Sequence, residues 1–165
     1  MNENDHQPSE PSLTEIVIPK ENAVFWMDDQ GRWHNRHGRF EHKRIIDHFN
    51  QAIRRDRDGY YVTQIRGDIR EKVYFAFGDT PIFVNRVITG EPILLMLNIG
   101  VTIEMDPSLL FVHRDQLYQR RNDECIKFAD RALLAMAPYL EESPEGLSVR
   151  IDNHIYPIPD LPRIN

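Results

Sequence analysis

Four histidines, His34, His37, His42 and His48, fall within fifteen residues, and zinc takes nitrogen ligands from such residues in sets of three or four. Their spacing disperses them. His34 falls on an expected strand, His37 in a turn and His42 at the start of an expected helix. His48 follows His42 by six positions, so the two face different sides of that helix. The sequence therefore specifies no metal site and implies no cofactor; metal-assisted hydrolysis by His34, His37 and His42 is the alternative chemistry. Cys125 is the one thiol, and it lies on an expected apolar helix stripe where a cysteine packs as a small hydrophobe. No Gly-x-Ser-x-Gly elbow, Walker pattern or dinucleotide fingerprint is present. The adjacent acids Asp28-Asp29 and Glu141-Glu142 sit in expected turns, where water solvates them, and general acid–base work needs carboxyls that are buried and facing. No catalytic residue emerges, and the reading leans away from an enzyme.

Binding is better supplied. Phe25, Trp26, Trp33, Tyr60 and Tyr61 flank the first hairpin and the strand after it, and polar-tipped aromatics line ligand clefts as well as cores. Arg114 follows His113 at a strand end, where a guanidinium can grip a carboxylate or phosphate with two parallel bonds. The candidate ligand-binding set is Arg114 and His113 for an anionic ligand, Trp33 and Tyr61 for its apolar side, and Asn98 at a kink near Gly100.

The elements that must position these residues follow from period and punctuation. Residues 1–14, with two prolines and surplus acid, read as a disordered tail. Ala23–Met27 and Arg32–Arg36 read as strands about Asp28-Asp29-Gln30-Gly31. From Glu41 the period changes: Ile45, Ile46, Phe49, Ala52 and Ile53 recur at steps of three and four, which predicts a helix ending near Arg55. Strands are expected at Tyr60–Ile65, Ile69–Phe77, Ile82–Ile88 and Ile93–Leu97, with Val101–Met105 pairing Leu109–His113 about Asp106-Pro107-Ser108. A second helix is expected from a cap at Asn122 or Asp123, burying Cys125, Ala129, Ala132, Leu133, Met136 and Leu140. Leu147–Ile151 and Ile155–Ile158 form a last hairpin, and the proline-rich end is an extended strap.

This order repeats in outline. Strand, turn, strand and helix precede Asp58-Gly59-Tyr60-Tyr61-Val62, and again Glu145-Gly146-Leu147-Ser148-Val149, 87 residues later. The expected fold is α+β: two closely packed small α/β halves, each with strands and one main helix, with an internal duplication as a candidate origin. The first unit spans 15–80, the second 81–158, and 159–165 form a C-terminal tail.

Charge and composition exclude several classes. The net charge of −6 divides into −4 over residues 1–27, +3 over 28–72 and −5 over 73–165. The one dense basic run, Arg54-Arg55-Asp56-Arg57-Asp58, alternates with acids and supplies no basic face for nucleic acid. No apolar run approaches the ~20 residues of a bilayer span, so no membrane partner is expected. Residues 1–10 carry no secretory pattern, and a single cysteine fits a reducing cytoplasm.

Several segments resemble domain-of-unknown-function family 1285 (DUF1285), a bacterial family. Asp29-Gln30-Gly31-Arg32-Trp33 is similar to its "DG-x-W" opening, with Gln30 interrupting the Asp-Gly pair. Gly78-Asp79-Thr80-Pro81-Ile82 is similar to its "D-A-P-F", departing at Thr80 and Ile82. His37-Gly38, Ile45-Ile46-Asp47-His48-Phe49, Asp58-Gly59-Tyr60-Tyr61-Val62, Leu97-Asn98-Ile99-Gly100 and Val112-His113-Arg114 follow in the family's order, over about Val24 to Tyr139. The resemblance implies two associated α/β domains with a repeated motif and a role in signalling through a bound small molecule, and it carries no activity. The expectation is a cytoplasmic, non-enzymatic small-molecule-binding or regulatory module with an anionic ligand. Dimerisation or another protein interaction is the further alternative.

Overall fold

The computed structural model describes residues 12–164; residues 1–11 of the expected tail lie outside them. The chain begins with β1 (Thr14–Ile18), then β2 (Phe25–Met27), β3 (Trp33–Asn35) and β4 (Gly38–Arg39), which form a small antiparallel sheet. Helix α1 (Lys43–Gln51) turns its apolar stripe, with Ile46 and Phe49, onto the core. It leads into β5 (Ile53–Asp56), β6 (Gly59–Arg66) and β7 (Ile69–Tyr74), and β1 returns to pair in parallel with β7, giving the order β1-β7-β6-β5.

A six-stranded sheet forms the centre. Its strands are β8 (Phe83–Ile88), β9 (Leu94–Leu97), β10 (Thr102–Glu104), β11 (Leu110–His113), β12 (Gln116–Arg121) and β13 (Glu124–Phe128), in the order β10-β9-β8-β13-β12-β11. Helix α2 (Asp130–Met136) packs beside β8 and leads to β14 (Leu140–Ser143), β15 (Gly146–Ile151) and β16 (His154–Pro157), a three-stranded meander. Residues 159–161 then run along the outer edge of β11. The Val112 N–H donates to the Pro159 carbonyl and the Leu161 N–H to the Val112 carbonyl, both at 2.8 Å. That cover removes an unpaired strand edge.

The architecture is therefore β-rich, which corrects the expected α+β class: strands hold 49 % of the chain and helices 16 %. Each helix does lead into a three-stranded meander, but the central sheet has no counterpart elsewhere among the described residues. One hydrophobic cluster runs from Met27 and Trp33 through Phe75, Phe83, Leu95, Ile126 and Phe128 to Val149 and Ile158.

Three local expectations change with it. The first helix stops at Gln51 because Ile53 pairs with Val62, and Arg54 with Tyr61, across β5–β6. Cys125 lies on a strand rather than a helix, since Cys125, Ile126, Lys127 and Phe128 are all buried in the middle of the sheet. A strand covered on both faces loses its alternation and can be mistaken for a helix stripe. Residues 102–104 and 110–113 do not pair: β10 and β11 are opposite edges of one sheet. No helix among the described residues is long and apolar enough to cross a membrane.

The outer face of the four-stranded sheet is pinned by a charged cluster. Lys72 Nζ donates to Asp56 Oδ2 at 2.6 Å and the Tyr74 hydroxyl to the same oxygen at 2.8 Å. Lys72 also lies 4.5 Å from the Tyr61 ring centroid. The Lys72 and Tyr74 bonds hold the Asp56 carboxyl at about 2, below its ordinary 3.8. A carboxyl depressed in the native state binds fewer protons than in the unfolded chain, so its stabilisation is complete above the ordinary value and fades as pH falls from about 4 to about 2. Urea midpoints measured between about pH 2 and pH 6 should fall on the acid side, and Asp56→Asn should flatten that limb.

Candidate functional site

The β2–β3 turn builds one wall of a cleft. Asp28 organises it: Oδ1 accepts from the Gln30 N–H at 2.9 Å and the Arg32 N–H at 3.0 Å, and Oδ2 lies 2.7 Å from His34 Nε2. Partial burial opposes ionisation of this carboxyl, but those bonds from Arg32, His34 and Gln30 outweigh it and hold it below the ordinary range. Gly31 has φ +77°, and a Cβ there would stand 2.9 Å from the Phe83 ring, so both conformation and space call for glycine.

Gly78 and Asp79, which precede β8, adjoin this turn and extend the lining. A Cβ on Gly78 would lie 1.9 Å from Asp29 Oδ1, so the two segments meet without room for a side chain. Gly78→Ala should displace the Asp29 carboxylate and lower stability by about 1–3 kcal/mol in urea unfolding. A variant as stable as the parent would contradict this close approach.

Beneath both lies Lys127 on β13, 7 % exposed. Its Nζ donates to the Asp29 carbonyl at 2.8 Å and lies 3.9 Å from Asp79 Oδ2, which accepts the Tyr118 hydroxyl at 2.6 Å. Burial and the bond to Asp79 push the Tyr118 phenol up, so it stays protonated as a donor. Burial likewise pushes up the Cys125 thiol, whose Sγ contacts the Ile164 carbonyl at 3.4 Å. Neither is an activated nucleophile.

The cleft has a volume of about 620 Å³ and a charged lining: Arg32, Arg114 and Lys127 against Asp29, Asp79 and Asp130, with Phe83 and Phe128 as apolar surface. Arg114 and Asp115 form the β11–β12 turn with φ +48° and +60°. Neither Arg32 nor Arg114 has an ion-pair partner within 4.0 Å among the described residues.

Of the five residues chosen from the sequence, Arg114 lines this cleft. His113 is buried beside it and gives its Nδ1–H to the Leu161 carbonyl at 2.8 Å. Trp33 is in the core. Asn98 is buried under the cleft wall, accepting from the Phe83 N–H and donating to the Pro81 carbonyl, each at 2.9 Å. Tyr61 lies on the four-stranded sheet with its ring against Tyr74 and Lys72. The structure adds Arg32, Lys127, Asp29 and Asp79. The histidines do not assemble: His34 bonds Asp28, His37 accepts from Arg36, and no group of three or more potential metal ligands occurs among the described residues.

No family model matches the sequence, and no curated protein matches it. Solved structures do. A DUF1285 family protein from Silicibacter pomeroyi DSS-3 superposes with a TM-score of 0.60 at 11 % identity, covering 88 % of this chain and 84 % of that one. Another, from Shewanella baltica OS155, gives a TM-score of 0.52 at 14 % identity over 72 % and 94 %. The chain has a DUF1285-like fold. Within it, segments that carried the sequence resemblance converge: Asp29–Arg32 and Gly78-Asp79 line the cleft together with Arg114, and Asn98 braces it from below. The signal for Arg32 and Asp79 in the sequence is their place within the resembling segments Asp29–Trp33 and Gly78–Ile82. Lys127 gave none, because its strand reads as helix.

Proposed function

We propose that this chain is a cytoplasmic, non-catalytic module that binds a small molecule with an anionic group in the cleft between the β2–β3 turn and the central sheet, and that occupancy regulates a further partner. The observation that carries the reading is the pair Arg32 and Arg114, without ion-pair partners among the described residues, above buried Lys127 in a space of about 620 Å³. Cavities of several hundred Å³ with a few convergent polar groups are the usual form of a metabolite site. Binding rather than turnover is supported by the lining itself, whose polar side chains among the described residues are charged groups and glutamines, with no serine or cysteine nucleophile.

A thermal-shift screen of anionic metabolites and nucleotides tests this. A ligand at 100-fold its Kd adds about 2.7 kcal/mol, which raises the melting temperature of a chain this size by roughly 5–10 °C. Arg32→Ala with Arg114→Ala should abolish the shift. A screen without a hit, or a hit indifferent to both arginines, removes the cleft as the site.

A further inference from the structure

We infer that the ligand of the cleft is a zwitterion of the free amino-acid type, its carboxylate held by Arg114 and Arg32 and its ammonium by Asp29 and Asp130. This rests on the binding reading above and narrows its ligand class. Three cations and three acids line the cleft. Lys127 and Asp79 face each other at 3.9 Å, with the Lys127 ammonium tied to the Asp29 carbonyl. That leaves Arg32 and Arg114 against Asp29 and Asp130, and none of these four side chains has an ion-pair partner within 4.0 Å among the described residues. A simple dianion would satisfy the arginines and be repelled by the acids. A molecule carrying both signs meets both, and electrostatic complementarity selects for it.

Arg114 carries a second mark. Among the described residues, the positive-φ positions outside glycine are Asp115, Asn122, Asp152 and Arg114. The first three are the residue types that tolerate this conformation through local side-chain bonding; arginine is not. The turn thus holds a strained residue where asparagine would be easier, and its side chain lines the cleft without an ion-pair partner. Strain of this kind persists where the side chain serves binding.

The experiment is thermal shift and calorimetry on the full chain with free α-amino acids, their N-acetyl and C-amide derivatives, succinate and inorganic phosphate. At least one free amino acid should bind, and blocking either its amine or its carboxylate should weaken binding at least tenfold. Arg114→Asn should raise the melting temperature of the ligand-free protein by roughly 2–4 °C and erase the ligand shift. Asp130→Asn decides the sign, because it weakens a zwitterion and strengthens a pure anion. If succinate or phosphate binds as well as any amino acid, or Asp130→Asn tightens binding, the zwitterion is overturned while the anion site stands. If no probe binds and the wider metabolite screen also fails, both readings fall. A lower melting temperature for Arg114→Asn overturns the strain argument.

Discussion

Trp33→Ala should lower the free energy of unfolding by about 4–8 kcal/mol, from the ~3–5 of a large aromatic deletion plus the ~1–3 of an orphaned buried amide. Trp33 is 1 % exposed, with its ring centroid 4.9 Å from that of Phe75, 5.3 Å from Phe49 and 5.7 Å from Phe25. Its Nε1–H donates to Asn50 Oδ1 at 2.8 Å, tying β3 to the end of α1. Domains are stable by only ~5–15 kcal/mol in total, so the variant should sit near its unfolding midpoint at room temperature. Trp33→Phe keeps most of the ring contact but leaves Asn50 unpaired, and should cost about 1–3 kcal/mol. Equilibrium urea unfolding separates the two. If Trp33→Ala cost under ~1 kcal/mol, the aromatic cluster would not be the anchor of this part of the core.

That expectation also shows what the sequence discloses and what it withholds. The hairpin carrying Trp33 is legible because Asp28–Gly31 has turn chemistry after the apolar run Ala23–Met27, and α1 because Ile46 and Phe49 share one face. Whether an aromatic on such a strand faces a ligand or the core depends on what lies opposite. Here that is Phe75, forty-two positions away. Pairings of this range were also the ones missed. β1 joins β7, and β8 joins β13, as parallel partners across long intervals of chain, and no local period announces them. β13 was hidden by its own burial, and with it Lys127, whose place under the cleft is a consequence of sheet order alone. Arg114 was legible because a cation beside a turn is exposed whatever the fold. Arg32 and Asp79 fall in segments that carry the resemblance, but Arg32 reads as the first residue of a strand and Asp79 as an ordinary turn residue until Gly78 closes onto Asp29.

Asn98→Ala should cost about 2–4 kcal/mol, because it orphans two buried backbone groups at ~1–3 kcal/mol each, less what water recovers. β9 ends at Leu97, and the Asn98 N–H still donates to the Phe83 carbonyl at 2.9 Å. The side chain then continues the ladder: Oδ1 takes the Phe83 N–H and Nδ2 gives to the Pro81 carbonyl. These bonds fix the segment that leads from Asp79 into β8, so their loss should loosen the cleft as well as the sheet. Asn98→Asp separates geometry from charge. It keeps the acceptor for Phe83 but turns a donor into an acceptor against the Pro81 carbonyl, unless the new carboxyl is protonated. Burial and that carbonyl both raise its native value, so the native state holds the proton more tightly than the unfolded chain. Stability of Asn98→Asp should therefore approach that of the parent below about pH 4 and decline as pH rises past the value of a free aspartate. Asn98→Ala should show no such difference from the parent over the same range. A flat difference for Asn98→Asp would mean that the carboxyl reaches water, and that Asn98 does not seal the base of the cleft.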